Sequence, residues 1–367
     1  MRRIAALVFM LATVPAVAQP KLEDLSLPPG FQVEYFAKDL RNARSMALGA
    51  KGTVFVGTRD AGVVYAIEHD GRKAGRVHTI AKGLNMPNGV AFRDGALYVA
   101  EVNRVLRFDA IEGNLASPPK PVVVADDLPT ERHHGWKFIA FGPDGKLYVP
   151  IGAPCNICDE GDPFAAILRM DADGGNREIF ARGVRNTVGF DWNPKSGHLW
   201  FTDNGRDWMG DDTPPCELNV ATRAGQHFGY PYCHGKAVSD PEFGEGHACA
   251  DFTPPAVEFG AHTAPLGMRF YQGDMFPAQY RGGTFVAQRG SWNRSKKVGY
   301  QVLWIPVDGD KAGTPQPFLT GFLDGEKARG RPVDVQELPD GSLLVSDDTA
   351  NAIYRVSYAA PAAAAAR

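Results

Sequence analysis

Side chains able to bind anions or move protons recur along this chain at one kind of position, just ahead of an apolar segment. Histidine exchanges protons near neutral pH, and arginine presents a planar fork that matches a carboxylate. The members of this first set are Arg44, Asn88, His134, Arg185, Asn186, His262 and Arg331. If the fold brings them together, they predict a pocket for a small polyanion, with His134 as its candidate for proton chemistry.

A second set of polar residues follows apolar segments instead of preceding them. Its members are Arg59, Asn204, Gly205, Arg206 and Arg289. The main-chain carbonyls of Gly205 and Arg206 offer the oxygen ligands that Ca²⁺ prefers. Nearby, Asp207, Asp211, Asp212 and Glu217 either serve a second calcium or form a solvated loop, and we favour the solvated loop.

The elements that position both sets are six copies of one sequence pattern: an apolar strand, a tight turn and a second apolar strand. The copies begin at Ser45, Gly89, Phe138, Gly189, Gly267 and Val333. Their turn glycines, from Gly52 to Gly341, are spaced by 43, 50, 52, 85 and 59 residues. Such spacing is typical of propeller blades, so we predict an all-β, six-bladed β-propeller. A β-sandwich or two smaller domains would not produce this regular repeat.

In a propeller, the loops that enter each inner strand and those between the second and third strands open on one face, so the two sets should converge. We assign the propeller to residues 19–358, with a loop-rich insertion at 206–262 and a flexible Ala-rich tail at 359–367. The segment PGFQVEYFAKDL has no turn partner, and we expect it to close the ring as the outer strand of the last blade.

Residues 1–18 read as a secretory signal peptide, with Arg2 and Arg3 ahead of a short apolar stretch and an A-x-A cleavage site. Without them the formal net charge changes from −3 to −5. This balance indicates neither nucleic acid nor an anionic membrane as a partner, and we expect no membrane span. The sequence thus predicts a periplasmic or secreted protein.

Five cysteines in an exported chain permit disulfides but leave one thiol over. Cys233 and Cys249 flank a polar loop and are the favoured bridge, Cys155 and Cys158 could close a small ring, and Cys216 would then be free. A c-type haem needs His after the second Cys of C-N-I-C, but that residue is Asp159.

Longer motifs then give a specific resemblance. HHGWKFIAFGPDG, GVRNTVGFDWNPKSGHLWFTDNGRD, ELN, HFGYPYCHG and HTAPLGM together resemble the sorbosone dehydrogenase family. That family is related to soluble aldose dehydrogenases that use pyrroloquinoline quinone, a tricarboxylate cofactor. The resemblance runs from about Leu27 to Tyr358. It implies a quinone- and Ca²⁺-dependent oxidation of a sugar or aldehyde, with a separate electron acceptor such as a quinone or cytochrome.

The resemblance also implies roles for single residues. His134 matches the catalytic base, Gly205 and Arg206 match the calcium-binding carbonyls, and the cofactor contacts fall on Arg185, Asn186, Arg289 and Arg331. Asn88 and His262, which occupy equivalent positions ahead of inner strands, are further candidate cofactor contacts. The chain departs from the family pattern in three respects. His133 replaces an Asp, and Arg206 replaces a Pro at the metal turn, where a backbone ligand tolerates the change. Val333 replaces a second Arg, and the family's Gln is absent ahead of GVAF, with Asn85 or Asn88 in its place. Two alternatives remain, a calcium-dependent lactonase and a non-catalytic binding module, and the Arg- and His-rich slots disfavour the lactonase.

Overall fold

Six β-sheets follow one another around an axis in the computed structural model, which describes residues 19–359. The predicted signal peptide lies outside the described residues, and so does the predicted tail apart from Ala359. Within residues 19–359 the structure contains strands and four short 3-10 helices but no α-helix. The six-bladed β-propeller is therefore confirmed.

The blades are numbered here from the first sheet in the chain, and the inner strand of each is given first. Blade 1 comprises Ala43–Leu48, Val54–Thr58, Val63–His69 and Ala74–Lys82. Blade 2 comprises Gly89–Arg93, Ala96–Ala100, Val105–Phe108 and Val122–Ala125. Blade 3 comprises Ala140–Phe141, Leu147–Ile151, Ala166–Met170, Glu178–Arg182 and a parallel edge strand, Gln226–His227.

The remaining blades complete the ring. Blade 4 comprises Phe190–Trp192, Leu199–Asp203, Cys216–Ala221 and Val257–Phe259. Blade 5 comprises Pro265–Phe270, Thr284–Gln288, Gln301–Ile305 and Gln316–Leu319. Blade 6 comprises Pro332–Glu337, Leu343–Asp347, Ala352–Tyr358 and Phe31–Ala37. Three small hairpins lie outside the blades: Cys233–His234 with Val238–Ser239, Val307–Asp308 with Lys311–Ala312, and Leu323–Asp324 with Lys327–Ala328.

The chain closes the ring as predicted. Phe31–Ala37 pairs antiparallel with Ala352–Tyr358, so the N-terminal strand is the outer strand of blade 6. The six predicted turn glycines all have φ between +73° and +88°, the left-handed region that glycine adopts without strain. Near the axis the inner strands approach closely: a Cβ on Gly267 would lie 2.1 Å from Oδ1 of Asp334.

The core is divided among the blade interfaces. Each pair of neighbouring blades encloses its own cluster of buried apolar side chains, such as Phe55 with Leu97 between blades 1 and 2. A small additional cluster, in which Val188, Leu266 and Val333 pack against Trp136, joins inner-strand segments of four blades. The rigid framework thus carries its polar loops around one channel.

The segment 206–262 is loop-rich, but it also supplies the third and fourth strands of blade 4, Cys216–Ala221 and Val257–Phe259. These short strands were not recognised in the sequence because the residues around them are polar and rich in Gly. The excursion, meaning the segment between the two strands, spans residues 222–256. Both expected disulfides form, Cys155–Cys158 and Cys233–Cys249, and Cys216 is a buried free thiol. Nowhere in residues 19–359 does a helix reach the length and hydrophobicity needed to cross a membrane.

Candidate active site

A pocket of about 180 Å³ opens where the two sets of loops meet. The structure brings most of the predicted site residues to its walls. These are Arg44, Arg59, His134, Arg185, Asn186, Asn204, Gly205, His262 and Arg289. The same structural slot in successive blades therefore supplies side chains to one cavity.

The His134 imidazole is oriented by a single main-chain contact. Its Nδ1 lies 2.8 Å from the carbonyl oxygen of Ala153, which can only accept a hydrogen bond. Nδ1 therefore carries the proton, and Nε2 keeps a free lone pair. Burial, followed by the positive charge of Arg185 and the neighbouring His133, holds the pKa of His134 well below 6.5. The ring is a neutral base at physiological pH.

Arg185 is held by neutral acceptors. Its Nε and one terminal nitrogen bind the carbonyl oxygen and Oδ1 of Asn156 at 2.8 and 2.9 Å, and its other terminal nitrogen binds the carbonyl oxygen of Asn204 at 3.0 Å. The nearest carboxylate oxygen, on Asp207, is 3.8 Å away. These contacts fix the guanidinium plane but leave much of its charge uncompensated.

Asn186 follows on the same loop with its amide side chain free. Its backbone N–H and that of Arg185 donate to the buried carboxylate of Asp203, which therefore shapes the turn. Within residues 19–359 the side-chain amide of Asn186 has no hydrogen-bond partner, although it lines the pocket and is only 6% exposed. The amide can therefore donate to, or accept from, a ligand that enters the pocket.

Arg44 and Arg289 are held differently, by a shared carboxylate. The Oδ2 of Asp348 accepts from Nη1 of Arg44 at 2.5 Å and from Nε of Arg289 at 2.8 Å. Burial opposes ionisation of Asp348, but the two guanidinium groups outweigh it and lower its pKa below the usual 3.8. The positive charge on this side of the pocket is thus partly neutralised inside the protein.

Asn88 and Arg331 do not line the pocket. The Asn88 amide is fully buried: it accepts from Nε of Arg44 at 2.6 Å and donates to Ser45 and to the Lys137 carbonyl. It therefore positions Arg44. Asn85, its alternative, also lies outside the pocket lining. Arg331 donates to the Tyr300 hydroxyl and stacks on that ring at 4.8 Å, which directs its guanidinium away from the cavity.

The predicted metal positions lie where the loop after the second strand of blade 4 reaches the pocket. Gly205 lines it, while the Arg206 side chain is bound to Asp240 and Glu242 of the 222–256 excursion. Within residues 19–359 neither main-chain carbonyl accepts a main-chain hydrogen bond, but of the two residues Gly205 lines the pocket and Arg206 does not. No group of three or more His, Cys, Asp or Glu side chains suited to a metal occurs among these residues.

Of the neighbouring acidic residues, Glu217 does not belong to a solvated loop. It is buried opposite Asp203 on the adjacent strand, and desolvation, followed by the charge of Asp203, raises its pKa. His262 contributes to the pocket wall and fixes the same loop, because its ring contacts the Gly210 carbonyl through Nε2 at 2.8 Å. Its Nδ1 lies 3.5 Å from Oδ1 of Asp207.

Sequence reasoning missed three contributors to the site. Asp348 follows the second strand of blade 6, the slot that holds Arg289 in blade 5, and this equivalence was a usable signal. Trp136 lines the pocket beneath the Arg59 guanidinium, and its Nε1 is buried without a partner in the described chain. Trp292 lies at the mouth, in a segment with no repeat signature.

The protein is a propeller with a pocket lined by arginine and histidine side chains, and the comparisons name its class. Residues 100–355 match the Glucose / Sorbosone dehydrogenase family, and the chain belongs to that family. It is 34% identical over 366 residues to an uncharacterized protein of Borreliella burgdorferi, covering 96% of this chain and 95% of that one.

Solved structures share the fold at lower identity. The holo form of the pyranose dehydrogenase PQQ domain of Coprinopsis cinerea is 18% identical, with a TM-score of 0.78 over 94% of this chain and 99% of that one. The PQQ-bound aldose sugar dehydrogenase of Streptomyces coelicolor is 21% identical, with a TM-score of 0.66 over 90% and 99%. Both chains have the same propeller architecture as this protein.

Proposed function

We propose that this protein is an exported dehydrogenase that uses pyrroloquinoline quinone and Ca²⁺ to oxidise a sugar, another aldose or an aldehyde. The observation that carries the proposal is the bare Nε2 of His134 beside Arg185 and the unpartnered amide of Asn186 in one pocket. A neutral base next to anion-binding groups suits the oxidation of an alcohol or hydrated aldehyde by an anionic cofactor. Family membership and the PQQ-bound neighbours support the same assignment.

The residues present fit the cofactor. Arg185, Asn186 and Arg289 offer donors to the quinone carboxylates, His262 lines the adjoining wall, and the buried Nε1 of Trp136 lacks a partner that a ligand can provide. The carbonyl oxygens of Gly205 and Arg206 would hold Ca²⁺. When bound, the quinone would supply a hydride acceptor and Ca²⁺ would supply a Lewis acid.

The protein's own chemical contribution is proton handling by His134. Nε2 accepts the proton of the substrate hydroxyl, and the Ala153 carbonyl keeps the ring in the required tautomer. Burial and the charge of Arg185 disfavour the imidazolium, so the proton is released after each turnover. The same interactions thus prepare the base and regenerate it.

The pyrroloquinoline quinone contacts inferred for Asn88 and Arg331 are revised in this proposal. Asn88 acts through Arg44, and Arg331 donates to the Tyr300 hydroxyl instead of entering the pocket. Export is supported by the two disulfides, and electrons leave to a separate acceptor because C-N-I-C lacks the histidine of a haem attachment site.

Reconstitution tests the proposal. Purified apoprotein is incubated with pyrroloquinoline quinone and Ca²⁺, and dye-linked oxidation is measured on a panel of aldoses, aldehydes and alcohols. We expect saturable cofactor binding and oxidation of at least one aldose or aldehyde. Absence of saturable binding would overturn the oxidoreductase assignment, and binding without oxidation of any substrate would favour a non-catalytic module.

A further inference from the structure

Two tryptophans at the pocket mouth are exposed to an unusual degree. Trp208 is 67% exposed and Trp292 is 66% exposed, and they are the two exposed aromatic side chains of the described residues. Their rings lie 5.5 Å apart at an interplanar angle of 84°. One indole therefore forms a floor and the other a wall, with apolar surface that water covers unfavourably.

The two loops that carry these rings are bound to each other. The backbone N–H of Trp208 donates to Oδ1 of Asn293 at 3.0 Å, and the backbone N–H of Ser295 donates to Oδ1 of Asp211 at 3.0 Å. Arg294 forms an ion pair with Asp212 at 2.8 Å. Arg294 also donates to the Asp211 carbonyl. These contacts join the loop of residues 208–212 to the loop of residues 292–295, so the two exposed rings keep a fixed relative position.

These two joined loops adjoin the pocket. Trp292 lines the cavity, Trp208 lies beyond it, and the His262 ring is bound to Gly210 in the Trp208 loop. A molecule that reacts beside His134 and extends outward would contact Trp292 first and Trp208 next. The side-chain amide of Asn293, which accepts from the backbone N–H of Trp208, can donate to a hydroxyl group.

From this arrangement we infer that Trp208 and Trp292 form a second saccharide subsite, which binds the sugar ring attached to the one being oxidised. The C–H face of a pyranose is apolar and weakly positive, so it stacks on the negative face of an indole, while its equatorial hydroxyls reach the surrounding polar groups. This inference rests on the proposed sugar substrate.

The test begins with apoprotein, so that it does not depend on cofactor loading. Binding of glucose, maltotriose and cellotriose is measured by saturation-transfer NMR and calorimetry. We expect one of the trisaccharides to bind at least about fivefold more tightly than glucose, as one stacking contact allows. Trp208→Ala should abolish that difference, Trp208→Phe should largely restore it, and Val123→Ala, at an exposed apolar residue of blade 2, should leave it unchanged.

In the reconstituted enzyme, Trp208→Ala should lower kcat/KM for the oligosaccharide about fivefold and for glucose less than twofold. Equal binding of glucose and both trisaccharides, or a difference that survives Trp208→Ala, would overturn the subsite. So would a Trp208→Ala effect confined to the KM of the electron acceptor, because the surface would then belong to a redox partner. Trp208-dependent binding by apoprotein that takes up no quinone would sustain the subsite and reject the proposed cofactor.

Discussion

The pocket has two sides that use the same residue type differently. On the side formed by blades 3 and 4, Arg185 is held by the carbonyl and amide oxygens of Asn156 and by the Asn204 carbonyl. On the side formed by blades 5, 6 and 1, Arg44 and Arg289 share the buried carboxylate of Asp348. Neutral acceptors fix a guanidinium group without cancelling its charge, whereas a carboxylate does both.

Because of this difference, we expect Arg185 to contribute mainly to ligand binding and Arg44 mainly to the stability of the fold. Arg185 has no carboxylate in hydrogen-bond contact with its guanidinium, and its charge adds to burial in lowering the pKa of His134. Arg44 is fully buried and bound to Asp348 and Asn88, so its main contribution is to join blade 1 to blades 6 and 2. Arg289 is intermediate, because its Nε binds Asp348 while its side chain remains 26% exposed.

The largest effect is expected at the base itself. His134→Asn should keep the positive φ of 51°, which asparagine tolerates, and lower turnover by at least about a thousandfold. Cofactor affinity should change little. In the wild type, protonation of His134 abolishes the base, so its lowered pKa places the acid limb of the kcat profile below pH 6.5. An acid limb above pH 6.5, or turnover retained by the variant, would contradict this role.

Arg185→Met tests the free charge on the first side. Loss of a charge-assisted contact to a quinone carboxylate should weaken the Kd of the cofactor up to about 100-fold, measured by titration of apoprotein in the presence of Ca²⁺. Arg331→Met is the matched control, because its guanidinium is directed to Tyr300 and should change the Kd less than about twofold. Equal losses in both variants would remove the distinction between the two sides.

Asp348→Asn tests the carboxylate on the second side. It leaves Arg44 buried without its ion-pair partner and should cost about 3–5 kcal/mol of unfolding free energy at pH 7. Since the folded-state pKa of Asp348 is lowered, the wild-type advantage is present above the unfolded value near 3.8 and is lost as pH falls through the folded pKa. Urea unfolding of the wild type and the variant at pH 7 and at pH 3 measures the loss of stability and its pH dependence. An unfolding free energy at pH 7 that is the same in both proteins would refute the structural role of Asp348.

The smallest effect distinguishes the two supporting asparagines. Asn156→Ala removes one acceptor of Arg185 and two partly buried hydrogen bonds to the main chain of Asp207, so it should weaken cofactor binding about tenfold and destabilise the fold less than Asn88→Ala does. Asn88→Ala should instead lower the melting temperature, because it leaves buried partners of Arg44 unsatisfied. Calorimetric melting and cofactor titration of both variants decide the matter, and the reverse pattern would show that the two sides are exchanged.

The fold was predictable because its determinants are local. Each blade is recognisable from two apolar strands around a turn glycine. Closure of the ring was predictable because the N-terminal strand has no turn partner in the sequence, and it pairs with the last blade. The short strands inside 206–262 were not found, since a three-residue strand such as Val257–Phe259 carries too little pattern among prolines and glycines.

The site was predictable only in part. Slots before the inner strands correctly brought His134, Arg185 and Asn186 to one pocket. The direction of a side chain was not predictable, because Asn88 and Arg331 turn to partners on other loops. Asp348 meets Arg44 across 304 residues of sequence, and no local pattern records such a contact.

A crystal structure of the protein grown with pyrroloquinoline quinone and Ca²⁺ tests the central claim most directly. We expect the quinone in the pocket, with a carboxylate within hydrogen-bond distance of Arg185 and Asn186 and with Nε2 of His134 facing its reactive carbonyl. A quinone bound only to Arg44 and Arg289, or a pocket without quinone at saturating concentration, would contradict the account.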